Sequence, residues 1–160
     1  MSRNTLQSPL RQCSWVLTRF RRYSRCVTIQ DSTVDDALGT DDVMELQHRL
    51  RRRQVSAREL REAARARLAA VNADLNAVVR DLDVSPAVTG PFAGIPTALK
   101  DNEDIAGYPT LHGSWAPADR PATSTAPWVG QYLALGFEPL VKTTLPEFGL
   151  TATTESSRFG

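Results

Sequence analysis

Lys100 is the residue whose type and surroundings most invite chemistry. It closes an apolar approach made by Phe92, Ile95, Ala98 and Leu99, and Asp101-Asn102-Glu103-Asp104 follows it at once. Gly94-Ile95-Pro96 stiffens the approach and the polar quartet reads as a turn, so the spacing predicts a strand that leaves a core and delivers an ammonium to a cleft. A lysine accepts a proton only as the free amine. With an ordinary pKa of about 10.4, roughly one lysine in a few thousand is neutral at pH 7, and holding it so costs about 4 to 5 kcal/mol unless its surroundings supply that. Burial among apolar walls disfavours the charged form and is the usual route to a lysine base. The expectation is therefore a desolvated Lys100. The competing reading is a strand-end lysine with its head in water and a salt bridge to Asp101 or Asp104.

Other chemistries fit less well. Thr97 and Lys100 have the spacing of a Ser-x-x-Lys dyad, but that pair needs helical geometry, and on a strand residues three apart face opposite sides. Ser114, Ser156 and Ser157 read as cap or turn hydroxyls. His48 lies on a charged helix and His112 in a Gly-containing loop, neither with an acid at a telling spacing for a triad. The two histidines are far apart and both cysteines, Cys13 and Cys26, lie near the N-terminus, so no metal-ligand cluster is expected. Gly136 to Thr143 comes within one residue of the phosphate-binding pattern G-x-x-x-x-G-K-[ST]. Val141 replaces the glycine that lets N–H groups close on phosphate, Pro139 removes a donor, and the glycine precedes a strand instead of following one. Nucleotide binding is not expected.

The elements that must position Lys100 come from the rest of the 160 residues, 41% hydrophobic and 23% charged, which suits one soluble domain. The net charge of +1 hides an asymmetry: residues 1–30 carry six arginines and no acid, and all 18 carboxylates lie at Asp31 or beyond. An unstructured extension or an upstream start codon explains this arm at least as well as an organelle transit peptide or a nucleic-acid-binding tail. The remaining, mildly acidic body argues against nucleic acid as its main ligand, and no apolar run of eighteen residues exists to span a membrane.

From Thr40 the pattern is helical. Thr40-Asp41-Asp42 cap a first helix with Val43, Leu46 and Leu50 on its apolar side. Ser56-x-x-Glu59 is a capping box for a second helix, with Leu60, Ala63, Ala64, Arg67, Leu68 and Val71 as its inner stripe. The arginines from Arg49 to Arg67 alternate with Glu59 and Glu62 and read as a solvated surface. Asn76 to Val79 reads as a short strand, Ala126 to Leu135 as a helix begun by Pro127 and ended by Gly136, and Phe137 to Val141 as a strand whose Pro139 must sit at an edge or an end. These elements predict a mixed α/β sheet whose loops gather at one rim, where ligands bind in open sheets.

Two stretches carry a family resemblance. GIPTALKDNEDIAGYPTLHGS, residues 94–114, resembles the segment around the catalytic lysine of the amidase signature family: G-I-P, a short apolar stretch, K-D-N, then a glycine-containing loop ending in G-S. LVKTTLPEFGLTATTES, residues 140–156, is similar to the family's G-K-T-N-x-P-E-F and T-T-E elements, with Val141 in place of the usual glycine and Thr144 in place of the usual asparagine. The likeness runs from about Thr40 to the C-terminus and includes the helical hairpin leading into N-A-V-V.

The resemblance implies an α/β fold, the N-terminal part of an amidase-signature mixed sheet flanked by helices, with an N-terminal helical hairpin. Residues 1–35 would be a basic, disordered arm and 36–160 a truncated amidase domain. It implies an amide hydrolase working through an acyl-serine, with Lys100 as base and Asp101, Asn102, Gly113 and Ser114 shaping the pocket. In the family the lysine works with two serines, one on a cis peptide, from a Gly- and Ser-rich segment that normally follows T-T-E. That segment would lie beyond Gly160, so the expectation is a chain that holds the base and is inactive alone. A small-molecule amide is the implied substrate, with no cofactor or metal, no nucleic-acid or membrane partner, a cytoplasmic location and room for a homodimer of a full-length protein. The alternatives are the amidase-type component of a tRNA-dependent amidotransferase, or a non-catalytic interaction module carried by the arginine-rich hairpin.

Overall fold

The helical hairpin is built on two side-chain caps. In a computed structural model that describes residues 35–85 and 89–160, Asp42 accepts the Glu45 N–H (2.9 Å) and starts α1, Val43–Arg51. Ser56 and Glu59 close a reciprocal capping box that starts α2, Ala57–Leu75. Each cap satisfies N–H groups that a helix start otherwise leaves without partners. Arg53, in the left-handed region (φ 57°), turns the chain between the helices. The basic arm and its two cysteines lie outside the described residues.

Three strands form one sheet, in the order β1-β3-β2: β1 is Val78–Asp81, β2 is Ile95–Lys100 and β3 is Phe137–Thr143. β2 and β3 run parallel, joined by a long loop and α3, Pro127–Ala134, whereas β1 runs antiparallel to β3. The mixed α/β architecture matches the expectation. β1 starts two residues later than predicted because Asn76 is the left-handed C-cap of α2, and Asn72 Oδ1 accepts the N–H groups of Ala77 and Val78 (2.9 Å each).

Pro139 corrects a second expectation: it lies in the central strand. Thr97 is paired with Pro139 and Ala98 with Val141, so Leu140 is an extra residue and β3 bulges beside the proline. β1 ends opposite Val141, and the Leu82 N–H reaches Leu140 O (2.8 Å). The ladder therefore asks for no donor where proline has none.

Two apolar clusters hold the layers. Leu46, Val55, Leu60 and Ile95 pack the hairpin onto the sheet with Phe92 and Phe137. Leu82, Leu99, Ile105 and Val129 join β2 to the loop after it and to α3. The rings of Phe92, Phe137 and Tyr132 stack at centroid distances of 4.7 and 4.2 Å, and Tyr132 shares a hydrogen bond with Thr97 (3.1 Å), locking α3 over β2. Gly136 ends α3 at φ 97°, where a Cβ would come within 2.5 Å of the Ala93 backbone, so glycine alone fits this crossing.

The hairpin arginines differ from the solvated surface expected of them. Arg51, Arg52 and Arg53 are exposed, but Arg61 reaches across to the buried Glu138 of β3, and Arg67 grips Asp36 through two hydrogen bonds (2.6 and 2.7 Å). Hydrogen bonding from Arg67 holds the Asp36 carboxyl below its ordinary range and raises Arg67 in turn; Glu138 raises Arg61 in the same way. The outer end of the predicted α2 stripe fails as well: Val71 is exposed. No helix among the described residues is long and apolar enough to cross a membrane.

Candidate functional site

The C-terminal ends of β2 and β3 meet the loop at 101–114 in a seam of polar side chains. Lys100 is the last residue of β2, opposite Thr143 of β3. Its carbonyl accepts the Glu103 N–H (3.1 Å), which turns the chain away immediately. Lys100 is exposed, so within the described residues no apolar wall desolvates it; the buried-amine expectation does not hold here. Of the competing reading the head in water holds and the salt bridge does not: among the described residues no ion pair joins Lys100 to Asp101 or Asp104, and Asp101 is committed elsewhere.

Asp101 is 1% exposed and is held on every side. Its N–H donates to Thr143 O (3.0 Å), its carbonyl accepts the His112 N–H (3.0 Å), and Oδ2 accepts the Leu111 N–H (3.2 Å). Oδ1 lies 2.8 Å from Lys142 Nζ, an ion-pair contact too oblique to count as a hydrogen bond. Lys142 is fully buried, and its Nζ also donates to Pro109 O (2.8 Å) and Thr110 Oγ1 (2.9 Å). Two hydrogen bonds and one charge contact thus surround a single ammonium, the company a buried cation needs. An Nζ enclosed in this way is not open to a phosphate.

Of the other expected pocket residues, Asn102 is exposed, while Gly113 and Ser114 are buried. Gly113 takes φ 66°, and a Cβ there would meet Leu145 O at 2.7 Å. The Ser114 hydroxyl donates to Glu147 Oε1 and accepts the Ala116 N–H (3.2 Å). The Ser156 hydroxyl donates to Gly113 O (2.7 Å) and accepts the N–H groups of Arg158 and Phe159. Both serines behave as turn hydroxyls. His112, left-handed at φ 52°, stacks on Phe148 at 5.4 Å.

The structure therefore joins Asp101, Gly113 and Ser114 in one hydrogen-bonded loop system, and leaves the Lys100 and Asn102 side chains on the outside of it. Sequence reasoning missed Lys142, Thr110 and Glu147. Lys142 had a signal: a lone lysine in the otherwise apolar run Leu140-Val141-Lys142 of a central strand, with an acid available at Asp101, marks a buried ion pair. Thr110 and Glu147 had none, since their roles depend on which loop folds over which strand. Among the described residues no group of three or more His, Cys, Asp or Glu side chains could hold a metal ion.

The sequence matches the family model described as Amidase over residues 47–160. It is 40% identical over 132 residues to the protein of Mycobacterium leprae (strain TN) named "Putative amidase AmiC", covering 79% of this chain and 28% of that one. A glutamyl-tRNA(Gln) amidotransferase component of Halobacterium salinarum (strain ATCC 700922 / JCM 11081 / NRC-1) is 40% identical over 86 residues, covering 54% of this chain and 20% of its own. Among solved structures, 6-aminohexanoate cyclic dimer hydrolase complexed with substrate superposes with a TM-score of 0.66 at 32% identity, covering 75% of this chain and 27% of that one. The chain spans about 28% of the length of the curated relatives it matches first. With a family match across most of its length and neighbours of the same fold, this chain belongs to the amidase family.

Proposed function

We propose that this chain is the base-bearing part of an amide hydrolase that converts a carboxylic amide and water to the acid and ammonia through an acyl-serine. The observation that carries the reading is the pairing at the end of β2: Asp101 gives its carboxylate to Lys142, which leaves the neighbouring Lys100 amine free and accessible at the rim of the sheet. There Lys100 would take the proton of an attacking serine hydroxyl, a role for a lysine desolvated by whatever closes over it. Asp101, Gly113 and Ser114 set the shape of the loop beside it, and Asn102 stands exposed just beyond Asp101. Ser114 and Ser156 are buried and committed to Glu147 and Gly113 O, so neither serves as nucleophile. The substrate is a small-molecule amide and the location cytoplasmic.

A chimaera tests this. Residues 47–160 replace the matching segment of the Mycobacterium leprae relative, and ammonia release from simple aliphatic and aromatic amides is measured beside the unaltered relative. The chimaera is expected to hydrolyse an amide and to lose at least about a thousandfold in kcat on Lys100→Ala, since a missing base disables the nucleophile it activates. Equal activity with alanine at position 100 overturns the assignment. The likeness to a glutamyl-tRNA(Gln) amidotransferase component supports a second reading, in which ammonia passes to a charged tRNA within a complex. Co-purification of a tightly bound partner protein with the native protein would favour it over a free hydrolase.

A further inference from the structure

We infer that Lys142 is a positioning residue for Lys100, acting through Asp101: its buried ammonium clamps the end of β2 to the 109–112 loop and so sets where the Lys100 amine stands. This rests on Lys100 being the base. The chain has 19 cationic side chains, and only Lys100 and Lys142 are lysines. Leu99 is paired with Lys142 and Lys100 with Thr143, so the two lysines are diagonal neighbours on adjacent strands with side chains on opposite faces. One is exposed and the other is the most enclosed charge in the sheet.

The connection between them is short. Nζ of Lys142 meets Asp101 Oδ1, Pro109 O and Thr110 Oγ1, and the Thr110 hydroxyl itself donates to Glu103 O (3.2 Å). Asp101 is covalently next to Lys100, and Glu103 donates back to the Lys100 carbonyl. A single ammonium thus ties both sides of the turn that carries Lys100. Pro109 O, Thr110 Oγ1 and the Asp101 carboxylate gathered around one nitrogen suit the compact charge of an ammonium better than the planar fork of an arginine. That explains a lysine at this position in a chain that elsewhere uses arginine.

The test uses the full 160-residue chain and no turnover. Reductive methylation with 13C-formaldehyde labels the α-amine and Lys100 of the wild type and spares Lys142; equal labelling of Lys142 overturns the proposal. Lys142→Met leaves a buried carboxylate without its cation, so the Lys142→Met/Asp101→Asn pair is made as well, together with Lys142→Arg. In whichever of these keeps the wild-type unfolding midpoint, amide exchange at Leu111 and His112 is expected to quicken about tenfold or more while the β1–β3 amides stay protected. The methyl signal of Lys100 is expected to move from its wild-type position together with that exchange.

A Lys142 that only stabilises the fold would leave the Lys100 signal unchanged in such a variant, and that result overturns the proposal. So does Lys142→Arg with wild-type exchange and signal, since charge alone would then suffice. Should no variant fold, urea below the wild-type transition decides: the Lys100 signal and the Leu111 and His112 exchange must change together, and a signal that moves independently overturns the clamp. An inactive chimaera leaves this result standing, and a failed clamp leaves the hydrolase reading standing.

Discussion

The hairpin and the seam at the ends of β2 and β3 solve the same problem, fixing charged side chains in place, by opposite means. In the hairpin, Arg67–Asp36 and Arg58–Glu62 sit at the protein–water boundary, and the apolar cluster of Leu46, Val55, Leu60 and Ile95 does most of the holding. In the seam Lys142 and Asp101 are stripped of water, and their mutual charge contact together with the hydrogen bonds from Lys142 to Pro109 and Thr110 makes that tolerable. The hairpin can lose Arg58 or Arg67 and stay folded. The seam cannot lose one partner without leaving the other as an uncompensated buried charge, and that makes it a place where geometry is held tightly beside Lys100.

The sharpest break in this contrast is Lys142→Met, which is expected to lower unfolding free energy by about 3 to 5 kcal/mol in urea titrations, with much of the loss recovered when Asp101→Asn is added. Leu60→Ala in the hairpin removes a fully buried side chain and should cost about 3 kcal/mol by the same measurement, with no recovery from any charge substitution. A Leu60 loss far above that of Lys142→Met would reverse the contrast. Ser56→Ala breaks the α2 capping box and should cost about 1 kcal/mol, read as reduced helicity before the main transition.

Smaller again is the acid sensitivity of Asp36. Its carboxyl is held below the ordinary range by Arg67, so the pair contributes fully above the unfolded-state value and is lost as pH falls through the folded one. Melting curves of wild type and Asp36→Asn should therefore differ near neutral pH and converge below about pH 4. Lys100→Ala should change unfolding free energy by no more than about 0.5 kcal/mol, because the side chain is exposed. A larger loss would mean that Lys100 is structural, like Lys142, and would erase the difference between them.

The hairpin was legible because its signals are local. A cap, a capping box and an apolar stripe each lie within a few residues, and Ser56 with Glu59 or Leu60 with Ala63 need no distant partner to be recognised. The seam was only partly so. Asp101, Gly113 and Ser114 could be marked from the motif in which they stand, and the structure joins them in one loop system. Along the sequence Lys142 stands in a phosphate-loop imitation, and Lys100 reads as the buried lysine of the two. Alternation along a strand says that neighbours face opposite ways but not which face is covered, and the cover over Lys142 comes from Pro109 and Thr110, more than thirty residues earlier. Pro139 failed for a related reason: a central position becomes acceptable only once Leu140 bulges and β1 stops short.

By itself the order of residues determined the helices, the strand that presents Lys100 and the family to which the chain belongs, since each depends on spacing along the chain. Tertiary structure alone decided which lysine meets water and which is enclosed by Asp101, Pro109 and Thr110. Desolvation is a property of what packs over a side chain, and here that packing joins β3 to a loop far away in sequence.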